Sequence, residues 1–143
     1  PLYSFITFRD IKQIPREELS EVLNDYFLSV WVDETSSFGT FPIESMKCGT
    51  PVIGKVPNML PTWMNDENGV WINNENDMVD VVANFVQNWL EDNINPAIYE
   101  EMKKTVDQFS DKHKFESTVV TLFGGYLNSR ADSFEQQISK TEE

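Results

Sequence analysis

The sequence predicts an α/β fold, a Rossmann-like parallel sheet flanked by helices on both faces, and three observations carry that prediction. Short β-branched and aromatic runs alternate with stretches whose apolar residues recur at helical spacing. The run Leu28 to Val32 is apolar on both faces apart from Ser29, which suits a central strand of a parallel sheet covered by helices. Pro15, Pro42, Gly49 and Pro96 stand where helices would begin or stop.

Taken in order, Tyr3 to Phe8 reads as a buried strand because it is aromatic and β-branched. Pro15 opens a helix with Leu19, Val22, Leu23 and Tyr26 as its stripe, and Leu28 to Val32 is the second strand. A small, polar loop from Asp33 to Thr40 leads to a short helix that starts at Pro42, holds Ile43, Met46 and Lys47, and stops at Gly49. Pro51 to Lys55 is the third strand, Val56 to Gly69 a loop, and Val70 to Ile72 the fourth strand. A helix from about Asn76 to Asp92 carries Met78, Val81, Val82, Phe85 and Trp89 on one face. Another follows Asn95-Pro96, with Tyr99, Met102, Val106 and Phe109, and a last begins near Lys112, with Phe115, Val119, Leu122 and Tyr126. Residues 1–127 are thus expected to form the domain, and residues 128–143 a polar helical extension or tail. A doubly wound sheet usually has about five or six strands. The chain starts with Pro1, directly in a strand-like run, so it is expected to be truncated at its N-terminal end, with one or two strands upstream of Leu2.

Composition narrows the function. The 143 residues include 11 Lys+Arg against 24 Asp+Glu, a net charge of −13, and 40% are hydrophobic. That apolar share supports a packed core and argues against disorder. The acidity argues against nucleic acid as a partner, since phosphate contacts need clustered Lys and Arg. No apolar run approaches the ~20 residues that span a bilayer, and no signal peptide is visible, so no transmembrane segment and a cytoplasmic location are expected. The single cysteine, Cys48, cannot form an intramolecular disulfide. From Val56 to Met102 there is no Lys or Arg, and the acidic residues there read as a solvated helical face, or else as a cation-binding or repulsive one.

The candidate chemistry lies between Ser29 and Ile53. In open α/β sheets ligands bind beyond the carboxyl ends of the strands, where the loop Ser36-Ser37-Phe38-Gly39-Thr40 is expected. Gly39 lets a ligand approach the backbone, and the amides of Gly39, Thr40 and Phe41 precede or open a helix, where no intrahelical carbonyl reaches them. With the helix dipole they suit a phosphate. Glu44, expected in the first turn, could accept bonds from the vicinal diol of a ribose. The local pattern fits a capping carboxylate equally well, and both roles stay open.

The same stretch resembles the signature region of group 1 glycosyltransferases of the GT-B fold. That family follows a strand with Pro-Ser-x-x-Glu-Gly-Phe-Gly-x-x-x-x-Glu-Ala-x-Ala-x-Gly-x-Pro-Val. Phe38, Gly39, Glu44, Gly49, Pro51 and Val52 match it, and Met46 and Cys48 are common choices at variable positions. Pro15 to Asp25 resembles the helix before the signature, and Asn68-Gly69-Val70-Trp71 an Asn-Gly-hydrophobic strand after it. The resemblance spans roughly residues 3–92 and implies most of the C-terminal, donor-binding lobe of such an enzyme. By that resemblance Glu44 is the second glutamate of Glu-x7-Glu and holds the ribose of a sugar nucleotide. The amides around Gly39, Thr40 and Phe41 receive the diphosphate or sugar, and Ser36, Ser37 and Phe38 complete the donor site. Ser36 stands where the family has its first glutamate, and Pro57 to Thr62 departs from its Gly-Gly-x-Pro-Glu loop.

The resemblance further implies a transferase of polysaccharide biosynthesis that retains anomeric configuration and moves a hexose from a nucleotide diphosphate-sugar to a glycan or lipid-linked acceptor. It uses no metal and no cofactor. The basic Arg–Lys pair for the diphosphate and the acceptor-binding N-terminal lobe of the same chain would lie upstream. No catalytic residue is assigned to this lobe, and the isolated piece is expected not to turn over substrate. The location would be cytoplasmic or peripheral at the inner face of the membrane. Two alternatives are a GT-B sugar-nucleotide epimerase and a non-catalytic interaction module whose acidic helices dock another subunit. A sheet edge left exposed by missing strands also offers a route to a homodimer.

The remaining candidates carry less. There is no Asp-x-Asp for a metal–diphosphate clamp, His113 has no paired ligand nearby, and Ser36 and Ser37 have no adjacent His base. Cys48 reads as a small buried hydrophobe. Trp31, Trp63, Trp71 and Trp89 read as core, with Trp63 also placed to stack on a base or sugar. Lys47 is expected in solvent and Lys55 near enough to contact a phosphate.

Overall fold

The structure, a computed structural model, describes residues 4–12, 14–33, 38–109, 111, 117, 120 and 121. By their contacts the residues divide into two units, Pro1–Thr105 and Val106–Glu143. The first is an α/β unit built on an open, three-stranded parallel sheet flanked by helices, compatible with a Rossmann-like arrangement. In the second, residues 106–109 end a helix, and 117, 120 and 121 are helical. The expected boundary at residue 127, the tail 128–143, His113 and the stripe Phe115, Val119, Leu122 and Tyr126 lie outside the described residues.

Helix α1 spans Arg16–Asn24, entered through an extended Pro15 with φ −54° and ψ 142°. Glu17 and Glu18 in its first turn oppose the positive end of the helix dipole. Leu23 is buried, whereas Tyr26 lies beyond the helix end. Strand β1 follows at Ser29–Trp31, helix α2 at Thr40–Lys47, strand β2 at Val52–Lys55 and strand β3 at Val70–Ile72. The spatial order is β1-β2-β3, with Ser29 beside Val52, and Ile53 beside Val70. Val52 and Ile53 on the central strand β2 are both fully buried. The run Leu28 to Val32, expected at the centre, instead supplies the edge strand β1 of the described sheet, with Val30 and Val32 exposed because no further described strand covers that side. Helix α2 packs on β1 and β2, and α1 packs on α2. A 3₁₀ turn, Glu75–Asp77, leads into α3 at Met78–Leu90, which packs on β2, and α4 spans Ala97–Phe109.

Over its described residues, 4–8, the expected first strand does not form. Ser4 and Phe5 lie in a turn and residues 6–12 are irregular, with Phe5 and Phe8 exposed. A β-prone composition makes a strand only where the backbone finds a pairing partner, and the described sheet ends at β1. The other correction concerns Pro42, which is the third helical residue of α2 and not the first. Amides throughout the first turn lack intrahelical acceptors, so proline is as free to sit third as first.

The C-terminus of α2 ends as Gly49 predicts. Gly49 adopts φ +76°, its amide bonds the Met46 carbonyl at 2.9 Å, and the Thr50 amide bonds the Ser45 carbonyl at 3.0 Å. This is a Schellman closure. It delivers the Thr50 hydroxyl onto the Leu23 carbonyl at 2.9 Å, tying the end of α1 to the start of β2. Ser45, fully buried, sits with Oγ 2.7 Å from Ser29 Oγ and 3.0 Å from the Thr50 carbonyl, fixing α2 over β1.

Candidate functional site

The turn between β1 and α2 is held by tryptophans. Gly39 is the N-cap of α2 with φ +66° and ψ 66°, a left-handed conformation that favours glycine, and no side chain among the described residues caps this helix end. A Cβ on Gly39 would stand 3.1 Å from the Trp63 ring and 3.2 Å from Trp31, so the two indoles close that side of the turn. Trp63 Nε1 donates to the Phe38 carbonyl. Trp31 and Trp71 meet edge to face, with centroids 6.5 Å apart, and Trp63 meets Trp71 at 5.6 Å. Gly54 makes room for them, since a Cβ there would fall 2.8 Å from Trp71. Trp63 is 1% exposed and therefore belongs to the core, with no free face on which a base or sugar could stack. Trp89 is 43% exposed, yet it stacks on Phe27 at 4.4 Å.

The loop after β2 owes its shape to Asn68, which is fully buried. Its Nδ2 donates to the Trp63 carbonyl at 2.7 Å and to Thr105 Oγ1 at 3.0 Å. Its Oδ1 accepts from the Asn65 amide and from Trp71 Nε1, both at 3.2 Å. Every polar position of the amide is used, as burial demands. The sequence marks Asn68 only as part of an Asn-Gly-hydrophobic run and Trp63 only as a core or stacking residue; their hydrogen bonds to Thr105 and Phe38 have no local signal.

The residues expected at the donor site are distributed as follows. Ser36 and Ser37 lie outside the described residues. Phe38 is 46% exposed at the mouth, Gly39 is buried against the indoles, and Thr40 is exposed as the first helical residue. Phe41, half-buried, lines a cleft with residues 6–11, β1 and the α3 residues Val82 and Val86. Glu44 is half-buried on another flank of α2, in a groove with Lys47, Cys48 and the α1 residues Leu19, Ser20, Leu23 and Asn24. It is the fifth residue of the helix and not a first-turn residue, which corrects the expectation built on Pro42. Gly39, Thr40 and Phe41 thus cluster at the helix entrance, while Glu44 lies one turn further along.

Cys48 is half-buried, and its thiol donates to the Ser20 carbonyl at 3.8 Å. Burial, with help from Glu44 and opposed by Lys47, pushes that thiol above its ordinary range. Lys47 is exposed, and Lys55 Nζ lies 3.6 Å from a Glu75 carboxylate oxygen. Among the described residues no group of three or more His, Cys, Asp or Glu is placed to hold a metal, and no helix is long and apolar enough to cross a membrane. No family model matches the sequence, and neither the curated proteins nor the solved structures contain a match to it.

Proposed function

We propose that this chain is the donor-binding lobe of a GT-B glycosyltransferase, whose parent protein transfers a hexose from a nucleotide diphosphate-sugar to a glycan or lipid-linked acceptor. The supporting observation is the left-handed Gly39 at the carboxyl end of a parallel strand, set within Phe-Gly-x4-Glu-x4-Gly-x-Pro-Val. The Thr40 and Phe41 amides that follow have no acceptor within their helix and bind the diphosphate at its positive end. Glu44 accepts the ribose hydroxyls from the neighbouring flank, where hydrogen bonds to a charged group contribute ~1.5–3 kcal/mol each. Transfer is retaining and metal-independent, and it requires the other lobe to close over the donor, exclude water and present the acceptor. Calorimetric titration of the full-length protein with UDP and GDP tests this. One of the two binds, and Glu44→Ala abolishes that binding while leaving the melting temperature unchanged; a protein that binds neither nucleotide refutes the reading.

A second reading, a non-catalytic interaction module, is favoured by the outer edge of β1. Val30 and Val32 are exposed there beside an apolar cleft. The outer peptide groups of such a strand can pair with another chain. This module binds neither nucleotide, and if its partner is a second copy, light scattering gives the mass of a dimer.

A further inference from the structure

We infer that Trp63 is the positioning residue of the Phe38–Gly39 turn: its indole N–H fixes the Phe38 carbonyl and so the direction in which the Thr40 and Phe41 amides face. This inference rests on the donor-binding reading of that turn. Trp63 comes from the connection between β2 and β3, far from the turn in sequence, yet it donates to Phe38 and lies against Gly39. A glycine leaves φ +66° at little cost, and α2 has no capping side chain of its own among the described residues. Trp63 constrains that conformation from outside the turn. It can do so because it is itself fixed at both ends. Its ring is wedged among Trp31, Trp71 and Gly39, and its backbone carbonyl takes a proton from Asn68. The second proton of the Asn68 amide goes to Thr105 Oγ1, whose hydroxyl reaches the Glu101 carbonyl at 2.9 Å. A ladder of hydrogen bonds, buried at Asn68 and part-buried at its two ends, thus runs from α4 through Asn68 and Trp63 to the turn. Rigid support of this kind separates a preorganised binding turn from one that must be ordered when the ligand arrives.

Trp63→Phe keeps an aromatic ring and removes the donor. In the full-length protein the expected result is UDP or GDP affinity about tenfold weaker, the scale of one lost hydrogen bond, with the Phe38 to Phe41 amide resonances displaced. Phe85→Leu, a core change in α3, serves as the control: it lowers the melting temperature and leaves nucleotide affinity unchanged. In the wild type, the Trp63 indole N–H resonance shifts at nucleotide saturation more than that of Trp89. That measurement needs no variant and stands even if Trp63→Phe folds poorly. Unchanged affinity in Trp63→Phe, equal weakening in Phe85→Leu, or an unmoved Trp63 indole resonance overturns the inference while the donor reading survives. A wild type that binds neither nucleotide overturns both.

Discussion

Gly39 and Gly49 bracket the same short helix at positive φ, +66° and +76°, but in different surroundings. A Cβ on Gly49 would meet nothing within 4 Å. Gly49→Ala therefore isolates the backbone cost of a left-handed L-residue, about 1 kcal/mol. A Cβ on Gly39 would stand 3.1 Å from Trp63 Cζ2 and 3.2 Å from Trp31 Cη2 and Cζ2. Those rings cannot give way easily, because Trp31 and Trp63 are 5% and 1% exposed and Trp63 is tied to Phe38. Overpacking of this kind adds ~1–3 kcal/mol, which brings Gly39→Ala to ~2–4 kcal/mol. With a urea m-value of about 2 kcal/mol/M, Gly49→Ala lowers the unfolding midpoint by ~0.5 M and Gly39→Ala by ~1–2 M. Equal shifts in the two variants would mean that the indoles do not confine the turn, and the description of the site would fail with them.

Asn68→Ala removes an amide that serves four partners at zero exposure, so a loss of about 3 kcal/mol is expected, with a changed near-ultraviolet dichroism from Trp63 and Trp71. A loss under 1 kcal/mol would contradict the network. Thr50→Val keeps the shape and deletes the tie to the Leu23 carbonyl, costing about 1–2 kcal/mol in urea unfolding; a neutral result would show that the α1 terminus is held by packing alone. Burial raises the Cys48 thiol, so the folded state holds this proton to higher pH than the unfolded chain does. Its contribution to stability is complete below the ordinary thiol pKa and is lost as pH rises through the raised value. Iodoacetamide alkylation should accordingly show a higher pH midpoint in the native protein than in urea, and coincident midpoints would oppose this.

The parts of the fold legible in the sequence are those set by local chemistry. Pro51 to Lys55 shows as a strand in its β-branched start, and Gly49 marks the end of α2 because only a left-handed residue can close a helix in that way. What depends on neighbours was not legible. Tyr3 to Phe8 has strand composition, but the described part of it has no place in the sheet. Pro42 marks a first turn without saying which of its positions it fills, and α2 starts two residues before it, at Thr40. The support of the turn was the least visible feature. Trp63 and Asn68 act through partners distant in sequence, Phe38 and Thr105, and no periodicity records such pairs.

The same two-residue difference decides how a nucleotide would have to lie. Each residue advances a helix by ~1.5 Å, so Glu44 stands ~3 Å further from the mouth than a third helical residue would. Residues three and four apart share a helix face, and Glu44 shares its face with Lys47 and Cys48, whose thiol already touches α1 at Ser20. A ribose on Glu44 and a diphosphate on Thr40 and Phe41 therefore require the ligand to run along the α1 flank of α2, across the groove that Ser20 lines. Ser20 is exposed, so Ser20→Trp fills this groove without entering the core and should abolish UDP or GDP binding at an unchanged melting temperature. Val79→Trp, at an exposed site on α3, should leave binding intact. If Ser20→Trp binds nucleotide as the wild type does, Glu44 does not hold the ribose, whatever the helix entrance binds.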